Sequence, residues 1–501
     1  MDKKIERMSY GIVGSGTAGL LTALILRKAF PNSPITVVSS SEVGIVGVGE
    51  GSTEHWRSFM DMCDIPLEEM LASTLATHKY GIRFEGWGSI YPDYFHSVGA
   101  IDEIYAFGLY AGYMGILEKG KTLTSQTSSV GLVRNQIIKN GLHNNTNQYH
   151  FDTFKLNEYF TYLAFNRSIK FVDGKVSESG IEIDSENGCI KSVTTDSKEK
   201  IEADFWFDAT GFYKLLMKKL DNTEWESFSE YLLCDSAIAF PTESDPSGQI
   251  RPYTRARAAT SGWMWEIPTQ ERRGNGYVYS SQFLSEEQAL AEASKLTGYE
   301  IPFHRSFKFD AGYLKNTWVK NCCAVGLASS FVEPLEATSI GSTIQQIKNI
   351  IPYLASYQKN YTASQKHYNK SFSKMMRNIL TMIRLHYYSD RNDTPFWAAQ
   401  ARMPVNEELQ ELIDLWAERP PSRFDIEVNS GQMFLSPHLA HVGQGQGIVA
   451  AAPCTTAIER LEIRNLISST LDKMRHERHA AELVDHAAAL REIATIDLEW
   501  E

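Results

Sequence analysis

The N-terminal part of the chain alternates between short apolar runs and one longer segment with helical spacing. Tyr10 to Val13 is mostly apolar, and residues 18–30 place apolar side chains three or four positions apart. Prolines on either side of Asn32 end that segment, and residues 35–38 form a β-branched run typical of a buried parallel strand. The pattern predicts a βαβ unit of the kind that begins a doubly wound parallel sheet.

Short strand-like runs recur through the middle of the chain. The clearest of them are residues 169–172, 181–183 and 205–207. Residues 235–320 also have mainly strand spacing, and within them Pro246–Gly248 and Arg273–Gly276 are predicted as turns because glycine is frequent there. From about residue 340 helical spacing dominates, with loops predicted at 420–422 and 442–447.

These patterns predict an α/β protein whose two parts are not cleanly separable. A doubly wound, Rossmann-like core is expected over residues 1–350, with inserted segments at about 80–160 and 220–310. A mainly helical C-terminal module is expected over residues 351–501.

Composition excludes several classes of protein. Of the 501 residues, 43% are hydrophobic and 22% are charged, and the net charge of -12 argues against a nucleic-acid partner. No run approaches the ~20 apolar residues of a membrane span, and the charged N-terminus leads into a strand rather than a signal peptide. We therefore expect a cytoplasmic protein without a membrane partner. The six cysteines are scattered without a CxxC pair, so neither disulfides nor a metal site is predicted.

The first motif with a chemical meaning lies between the first predicted strand and helix. Gly14 permits a tight turn, Gly16 lets the backbone approach a pyrophosphate, and Gly19 allows close packing of helix and strand. The acid expected about 20 residues later is replaced by Ser39, which predicts a weaker hold on the ribose. The predicted cofactor contacts of this unit are Gly14, Gly16, Thr17, Ala18, Gly19 and Ser39.

Two further strings stand out in the sequence. The glycine-rich segment 46–53 either lets a flat ligand lie against the backbone or is a simple loop. In Gly262-Trp-Met-Trp-Glu-Ile-Pro268, the two tryptophans project from one face of an extended segment. Alone, that spacing is typical of an aromatic stripe in a core.

Together these motifs resemble those of the flavin-dependent halogenases. Further matching segments carry the resemblance from about residue 10 to 400, beyond which it weakens. They are His150–Asp152, Asp208–Phe212, Gly276–Ser281, Gly326–Ala328, Phe331–Glu336 and His386–Trp397.

The resemblance implies a fold and a reaction. The fold would be an FAD-binding core of the flavin monooxygenase type with a closely associated helical substrate module. The enzyme would take FADH2 from a separate flavin reductase and use it with O2 and a halide ion to make hypohalous acid. This oxidant would then halogenate a small electron-rich aromatic substrate of the indole or phenol type.

The resemblance also assigns a catalytic pair, Lys79 and Glu336. Without it, Lys79 in the strand-like segment 78–84 would be a solvated side chain, and Glu336 a surface or helix-start acid. The lysine is implied either to hold the hypohalous acid by a hydrogen bond or to become a haloamine, and both alternatives stay open. Glu336 is implied to orient the lysine and to take the proton that the aromatic ring loses.

The halide site implied by the resemblance is formed by the backbone N–H groups of Thr338 and Ser339. Tryptophan-acting members usually carry Glu-Ser-Thr-Gly here, whereas this chain has Ala337 and Ser339 in place of the serine and the glycine. We therefore expect bromide or iodide to compete with chloride. The remaining implied residues are Trp263, Trp265 and Pro268 near the path from flavin to substrate, and Glu50, Gly51, Val176, Leu327 and Ile340 beside FAD.

Two other classes of function must be distinguished from halogenation. A flavin monooxygenase or oxidoreductase without halide use would share the fold, but Lys79, Glu336 and the tryptophan string distinguish halogenases from it. A non-catalytic flavoprotein would have no use for the lysine–glutamate pair. Residues 429–453 contain few aromatic side chains, which favours an open substrate site over an enclosed tryptophan pocket. A homodimer is neither predicted nor excluded.

Overall fold

The computed structural model describes residues 7–44, 50–88, 92–97, 136–138, 148–356, 362–419, 421–422, 424–426, 431–449 and 483–494. Residues 46–49 of the second glycine-rich motif lie outside the described residues, as do Cys454 and parts of the predicted segments 80–160 and 351–501.

The described residues form strands β1 to β24 and helices α1 to α12, in chain order. The strands are β1 Tyr10–Val13, β2 Ile35–Ser39, β3 Glu50–Gly51, β4 Thr77–Lys79, β5 Gly81–Glu85, β6 Asp93–Ser97, β7 Gln136–Ile138, β8 Gln148–Phe151, β9 Lys170–Asp173, β10 Val176–Ile183, β11 Ile190–Thr195, β12 Lys200–Glu202, β13 Phe205–Asp208, β14 Trp225–Ser227, β15 Ser236–Glu243, β16 Thr254–Ala259, β17 Gly262–Pro268, β18 Arg272–Tyr279, β19 Arg305–Lys308, β20 Gly312–Leu314, β21 Trp318–Val319, β22 Cys322–Ala324, β23 Ser330–Phe331 and β24 Leu483–Asp485. The helices are α1 Thr17–Ala29, α2 His55–Met62, α3 Leu67–Ser73, α4 Thr153–Asn166, α5 Leu215–Lys219, α6 Glu286–Thr297, α7 Thr338–Ala355, α8 Thr362–His386, α9 Pro395–Gln400, α10 Glu407–Glu418, α11 Ser436–Gly445 and α12 His486–Ala494.

The central sheet is built around β1. Its strands lie in the order β21-β22-β13-β1-β2-β9, and every neighbouring pair is parallel except β21 with β22. Both β1 and β13 are buried over their whole length, as expected for strands covered on two faces. Helix α1 follows β1 and packs against α4 and α7. The predicted βαβ unit and doubly wound fold are confirmed, with each element boundary shifted by at most a single residue.

A second, mostly antiparallel sheet carries the substrate-side segments. Its order is β19-β15-β18-β17-β16-β5-β6, in which only β16 with β5 is parallel among the described strands. The predicted turn at Pro246–Gly248 is confirmed, because the Gly248 N–H donates to the Asp245 carbonyl at 2.8 Å. The turn predicted at Arg273–Gly276 is wrong, since these residues lie inside β18 and pair on both sides. Glycine is needed there because a Cβ on Gly276 would lie 2.1 Å from the Trp265 ring.

From residue 338 the described chain is mainly helical, as predicted. The loop predicted at 442–447 is wrong for its first four residues, which belong to α11. Two glycines in this helix allow aromatic rings to approach its backbone. A Cβ on Gly443 would lie 2.9 Å from the Trp416 ring, and one on Gly445 would lie 2.4 Å from the Tyr94 ring. Helix α11 therefore packs directly on β6. Within the described ranges, no helix combines the length and apolarity needed to cross a bilayer.

The contact between α11 and β6 can be tested by a substitution at Gly445. In the variant Gly445→Ala, the added methyl group collides with Tyr94, and overpacking of this kind costs about 1–3 kcal/mol. Urea unfolding should therefore show a lower free energy of unfolding. Gly44→Ala is the control, because its Cβ would have no neighbour within 4 Å. Equal stability of the two variants would contradict the packing of α11 on Tyr94.

Candidate active site

The turn between β1 and α1 is shaped by glycine. Gly14 has φ +111°, and a Cβ there would lie 2.3 Å from the Ala209 carbonyl oxygen. A Cβ on Gly19 would lie 2.0 Å from the Gly14 carbonyl oxygen. The first turn of α1 thus lies directly on the end of β1, as the fingerprint requires.

Gly16 lies at the open side of the same turn. It is the N-cap of α1, no side chain caps the helix, and the first turn carries no acidic residue. The first N–H groups of a helix have no intrahelical partner, and together they form an anion site. A Cβ on Gly16 would have no neighbour within 4 Å, so the backbone is open to a ligand. Thr17, Ala18 and their neighbours therefore fit the pyrophosphate of FAD.

Ser39 ends β2, where an acid was expected. Its register partner on the neighbouring strand is Asp173, the last residue of β9. The Asp173 carboxylate accepts hydrogen bonds from the Ser41 N–H at 2.9 Å and from its hydroxyl at 3.3 Å. A carboxylate is thus present at this edge on a different strand, and sequence reasoning missed it because only the strand pairing brings it there.

The other residues predicted to contact FAD occupy four places. Val176 begins β10 and belongs to the buried apolar cluster that also contains Val13 and Val38. Leu327 lies in a short 3-10 turn, Gly326–Ala328, and a Cβ on Gly326 would lie 2.4 Å from Ala18. Ile340 is buried in the first turn of α7, which also packs against α1.

Glu50 and Gly51 form the fourth place, the short strand β3. Burial raises the pKa of the half-buried Glu50 to about 7. A Cβ on Gly51 would lie 3.4 Å from both the Lys79 Nζ and the Ala337 Cβ. Gly51 therefore lies where the two predicted catalytic segments meet.

Lys79 is only 1% exposed at the end of β4, which contrasts with the solvated side chain that its local pattern suggests. Its Nζ donates to the Ser52 carbonyl at 2.9 Å. Burial lowers the pKa of Lys79 to about 8, and the carboxylates of Glu336 and Glu54 oppose this shift. A substantial fraction of the amine is therefore neutral near physiological pH.

Glu336 is 3% exposed and lies between two buried imidazoles. His96 Nδ1 lies 2.9 Å from both carboxylate oxygens, and His386 Nε2 lies 2.7 Å from Oε1. Burial alone would raise the pKa of Glu336, but His96 and His386 outweigh it and hold that pKa far below its ordinary value. The carboxylate is thus kept ionised, which suits a proton acceptor.

Histidines form the part of this site that sequence reasoning missed. His96 is on β6, His386 ends α8, and His438 is on α11, with His438 Nδ1 3.2 Å from His96 Nε2. His438 Nε2 lies 3.6 Å from Glu54. His386 was noted only as part of a matching segment. Because the three histidines come from distant parts of the chain, no local spacing could have indicated their contact.

The predicted halide residues begin α7. Thr338 is buried and Ser339 is exposed, and no side chain caps this helix. Ala337 precedes them at φ +54°, a left-handed conformation that glycine adopts more easily. The first N–H groups of α7 thus provide the donors and the positive dipole end that a halide requires.

The tryptophan string lies on β17 and reaches both catalytic segments. Trp263 Nε1 donates to Glu333 at 2.7 Å, three residues before Glu336, and burial raises the pKa of Glu333 to about 7. At the other end, the Pro268 carbonyl accepts from the Thr77 hydroxyl at 2.7 Å, two residues before Lys79. Trp263 and Trp265 are both buried, with ring centroids 5.9 Å apart. The string is therefore a core stripe that also supports the site.

The chain is similar to known proteins in both sequence and fold. The sequence model of the family described as tryptophan halogenase matches residues 9–459. The tryptophan 7-halogenase RebH of Lentzea aerocolonigenes is 30% identical over 445 residues, which are 83% of this chain and 82% of that protein. The flavin-dependent halogenase Xcc4156 from Xanthomonas campestris has a TM-score of 0.83 at 28% identity, covering 97% of this chain and 99% of that one. For BrvH, a flavin-dependent halogenase from Brevundimonas sp. BAL3, the TM-score is 0.82 at 27% identity, with coverage of 97% and 99%.

Gly16 and Gly19 of the first motif differ in a testable way. Gly16→Ala places a methyl group in open space, so the free energy of unfolding should change by less than about 1 kcal/mol while FAD affinity falls at least about tenfold. Gly19→Ala, the comparison variant, places a methyl group on backbone and should cost more than about 2 kcal/mol. Urea unfolding of the apoprotein and FAD titration measure the two effects. Undiminished FAD binding by Gly16→Ala would show that the pyrophosphate does not approach this turn.

Proposed function

Because the chain belongs to the tryptophan halogenase family, we propose that it is an FADH2-dependent halogenase of an electron-rich aromatic compound. The observation that carries this proposal is the burial of both Lys79 and Glu336, with Gly51 between the Lys79 Nζ and Ala337, the residue that follows Glu336 and precedes α7. A flavin monooxygenase without halide use has no need for a buried amine next to an ionised carboxylate.

FAD, when bound in its reduced form, supplies the activation of O2 that oxidises halide to hypohalous acid. The chain's own residues position the reactants. The first N–H groups of α7, those of Thr338 and Ser339, hold the halide. The turn at Gly16 and the adjacent residues of α1 hold the pyrophosphate.

Lys79 controls the oxidant. As a neutral amine, its Nζ attacks the halogen of the hypohalous acid, an N–halogen bond forms, and the hydroxide leaves as water with the amine's proton. The aromatic ring then takes the halogen from Nζ. The electron pair of the N–halogen bond returns to nitrogen, and Nζ takes up a proton from solvent as that bond breaks, which restores the neutral amine. Glu336 accepts the proton that the ring carbon loses. Enclosure of both side chains limits hydrolysis of the oxidant.

The substrate is proposed only by class. Several relatives are named as tryptophan halogenases, whereas Xcc4156 and BrvH are named only as flavin-dependent halogenases. Phe434 is the only aromatic residue in the described segment 431–449, so we propose an open site for indoles or phenols. A separate flavin reductase is the proposed partner.

The function is tested by supplying the protein with FAD, a flavin reductase, NADH and each halide in turn, against a panel of indoles and phenols. Mass spectrometry should detect halogenated product, with bromide used at least as well as chloride because of Ala337 and Ser339. Hydroxylated product without halogen incorporation would instead favour the monooxygenase.

Lys79 provides a second test. The variant Lys79→Met keeps most of the side-chain volume but has no amine, so halogenation should fall by more than about 100-fold while flavin reoxidation continues. A trap for free hypohalous acid should detect the oxidant that is no longer transferred. Halogenation that survives this change would remove Lys79 from its proposed role.

The pH dependence separates the two roles considered for Lys79. If the neutral amine takes the halogen, the rate rises with pH through about 8, the pKa of Lys79, and a hydrogen-bonding ammonium gives the opposite slope. Because Glu336 raises that pKa, Glu336→Gln should move the transition to lower pH while it slows the reaction about 100-fold.

A further inference from the structure

A chain of hydrogen bonds reaches Glu336 from the end of α11. Gln446, the residue that follows this helix, has its Nε2 2.6 Å from the His386 carbonyl oxygen and 3.1 Å from the Tyr94 hydroxyl. The Tyr94 hydroxyl lies 2.7 Å from His386 Nδ1, and His386 Nε2 lies 2.7 Å from Glu336. The side chains of Gln446, Tyr94, His386 and Glu336 therefore form one continuous chain of hydrogen bonds.

The direction of the bonds in this chain follows from the two groups that can only accept, a backbone carbonyl and an ionised carboxylate. A backbone carbonyl only accepts, so the Gln446 atom facing it is the NH2 group, and that group also donates to Tyr94. Burial lowers the pKa of His386, which keeps the imidazole neutral. The ionised Glu336 carboxylate also only accepts, so His386 donates to it from Nε2, and its Nδ1 then accepts from the Tyr94 hydroxyl. The neutral imidazole thus carries its own proton on Nε2, which faces the carboxylate.

Contacts with two aromatic rings also fix the orientation of the His386 imidazole. Phe84 stacks on the imidazole with centroids 4.2 Å apart, and Tyr94 lies nearly parallel to it at 6.0 Å. The side chain of His386 is fully buried. Gly445 allows α11 to approach the Tyr94 ring, and this approach brings Gln446 within hydrogen-bonding distance of the Tyr94 hydroxyl.

We propose that Gln446 and Tyr94 fix His386 as a hydrogen-bond donor to Glu336, which makes them positioning residues for the carboxylate that accepts the ring proton. This inference rests on the proposed function only for its kinetic consequence. The donor chain itself is a property of the protein without cofactor or substrate.

The first test therefore uses the full-length apoprotein. Nitrogen-15 NMR of labelled histidine, with His386→Gln to assign the signal, should show His386 as the Nε2–H tautomer. Tyr94→Phe keeps the stacked ring but removes the hydroxyl, so a mixture of tautomers should appear. An Nδ1–H tautomer in the unaltered protein, or no change in Tyr94→Phe, overturns the inference.

The second test is kinetic. Tyr94→Phe should lower kcat about five- to tenfold with KM within about twofold of the unaltered enzyme, because the carboxylate is less well oriented when the proton is lost. Proton loss then becomes slow enough for a deuterium isotope effect to appear with substrate deuterated at the halogenated carbon. Gln446→Met, a second variant, should change kcat in the same direction by a smaller factor.

Tyr313→Phe is the matched control, because it removes a tyrosine hydroxyl bonded to Ser373 at 2.7 Å outside the site. Tyr94→Phe that behaves like this control in kcat and isotope effect overturns the inference with the proposed function intact. Absence of halogenated product from the unaltered enzyme removes the proposed function and the positioning role, while NMR still decides whether the donor chain exists.

Discussion

The structure depends on keeping an ionised carboxylate buried at Glu336. Burying a charge without partners costs several kcal/mol, so the site must bring donors to it. His96 lies 240 positions before Glu336 in the sequence and His386 lies 50 positions after it. The two donors belong to a strand of the second sheet and to a long C-terminal helix. Both elements must therefore meet at the turn before α7, and the close association of the helical part with the sheet follows from this requirement.

Strand β17 connects the two segments that carry the proposed catalytic pair. Through Trp263 it binds the turn that carries Glu336, and through Pro268 it binds the strand that carries Lys79. The two interpretations of the tryptophan string are thus compatible: its side chains are core residues, and that core lies under the site. A strand paired on both sides is better suited than a loop to hold the two proposed catalytic residues at a fixed distance.

Local chemistry made the βαβ unit and its glycine turn predictable, because apolar periodicity and glycine conformation act within a few residues. The same reliance on glycine failed at Gly276 and Gly445, where glycine makes room for Trp265 and Tyr94 that arrive from distant segments. Lys79 and Glu336 were predicted through resemblance, since their local patterns suggested exposed side chains. The histidine contacts were unpredictable, because they arise only when β6, α8 and α11 meet.

The charge states of the two predicted catalytic residues depend on one another. Burial lowers the pKa of Lys79, and the carboxylates of Glu336 and Glu54 limit that shift, so the amine titrates near 8. Burial would raise the pKa of Glu336, and the imidazoles reverse that effect. If the imidazoles did not donate, Glu336 would tend to take up a proton and would no longer support the ammonium form of Lys79. The hydrogen bonds to Glu336 therefore influence the protonation of both groups, although none of them contacts the lysine.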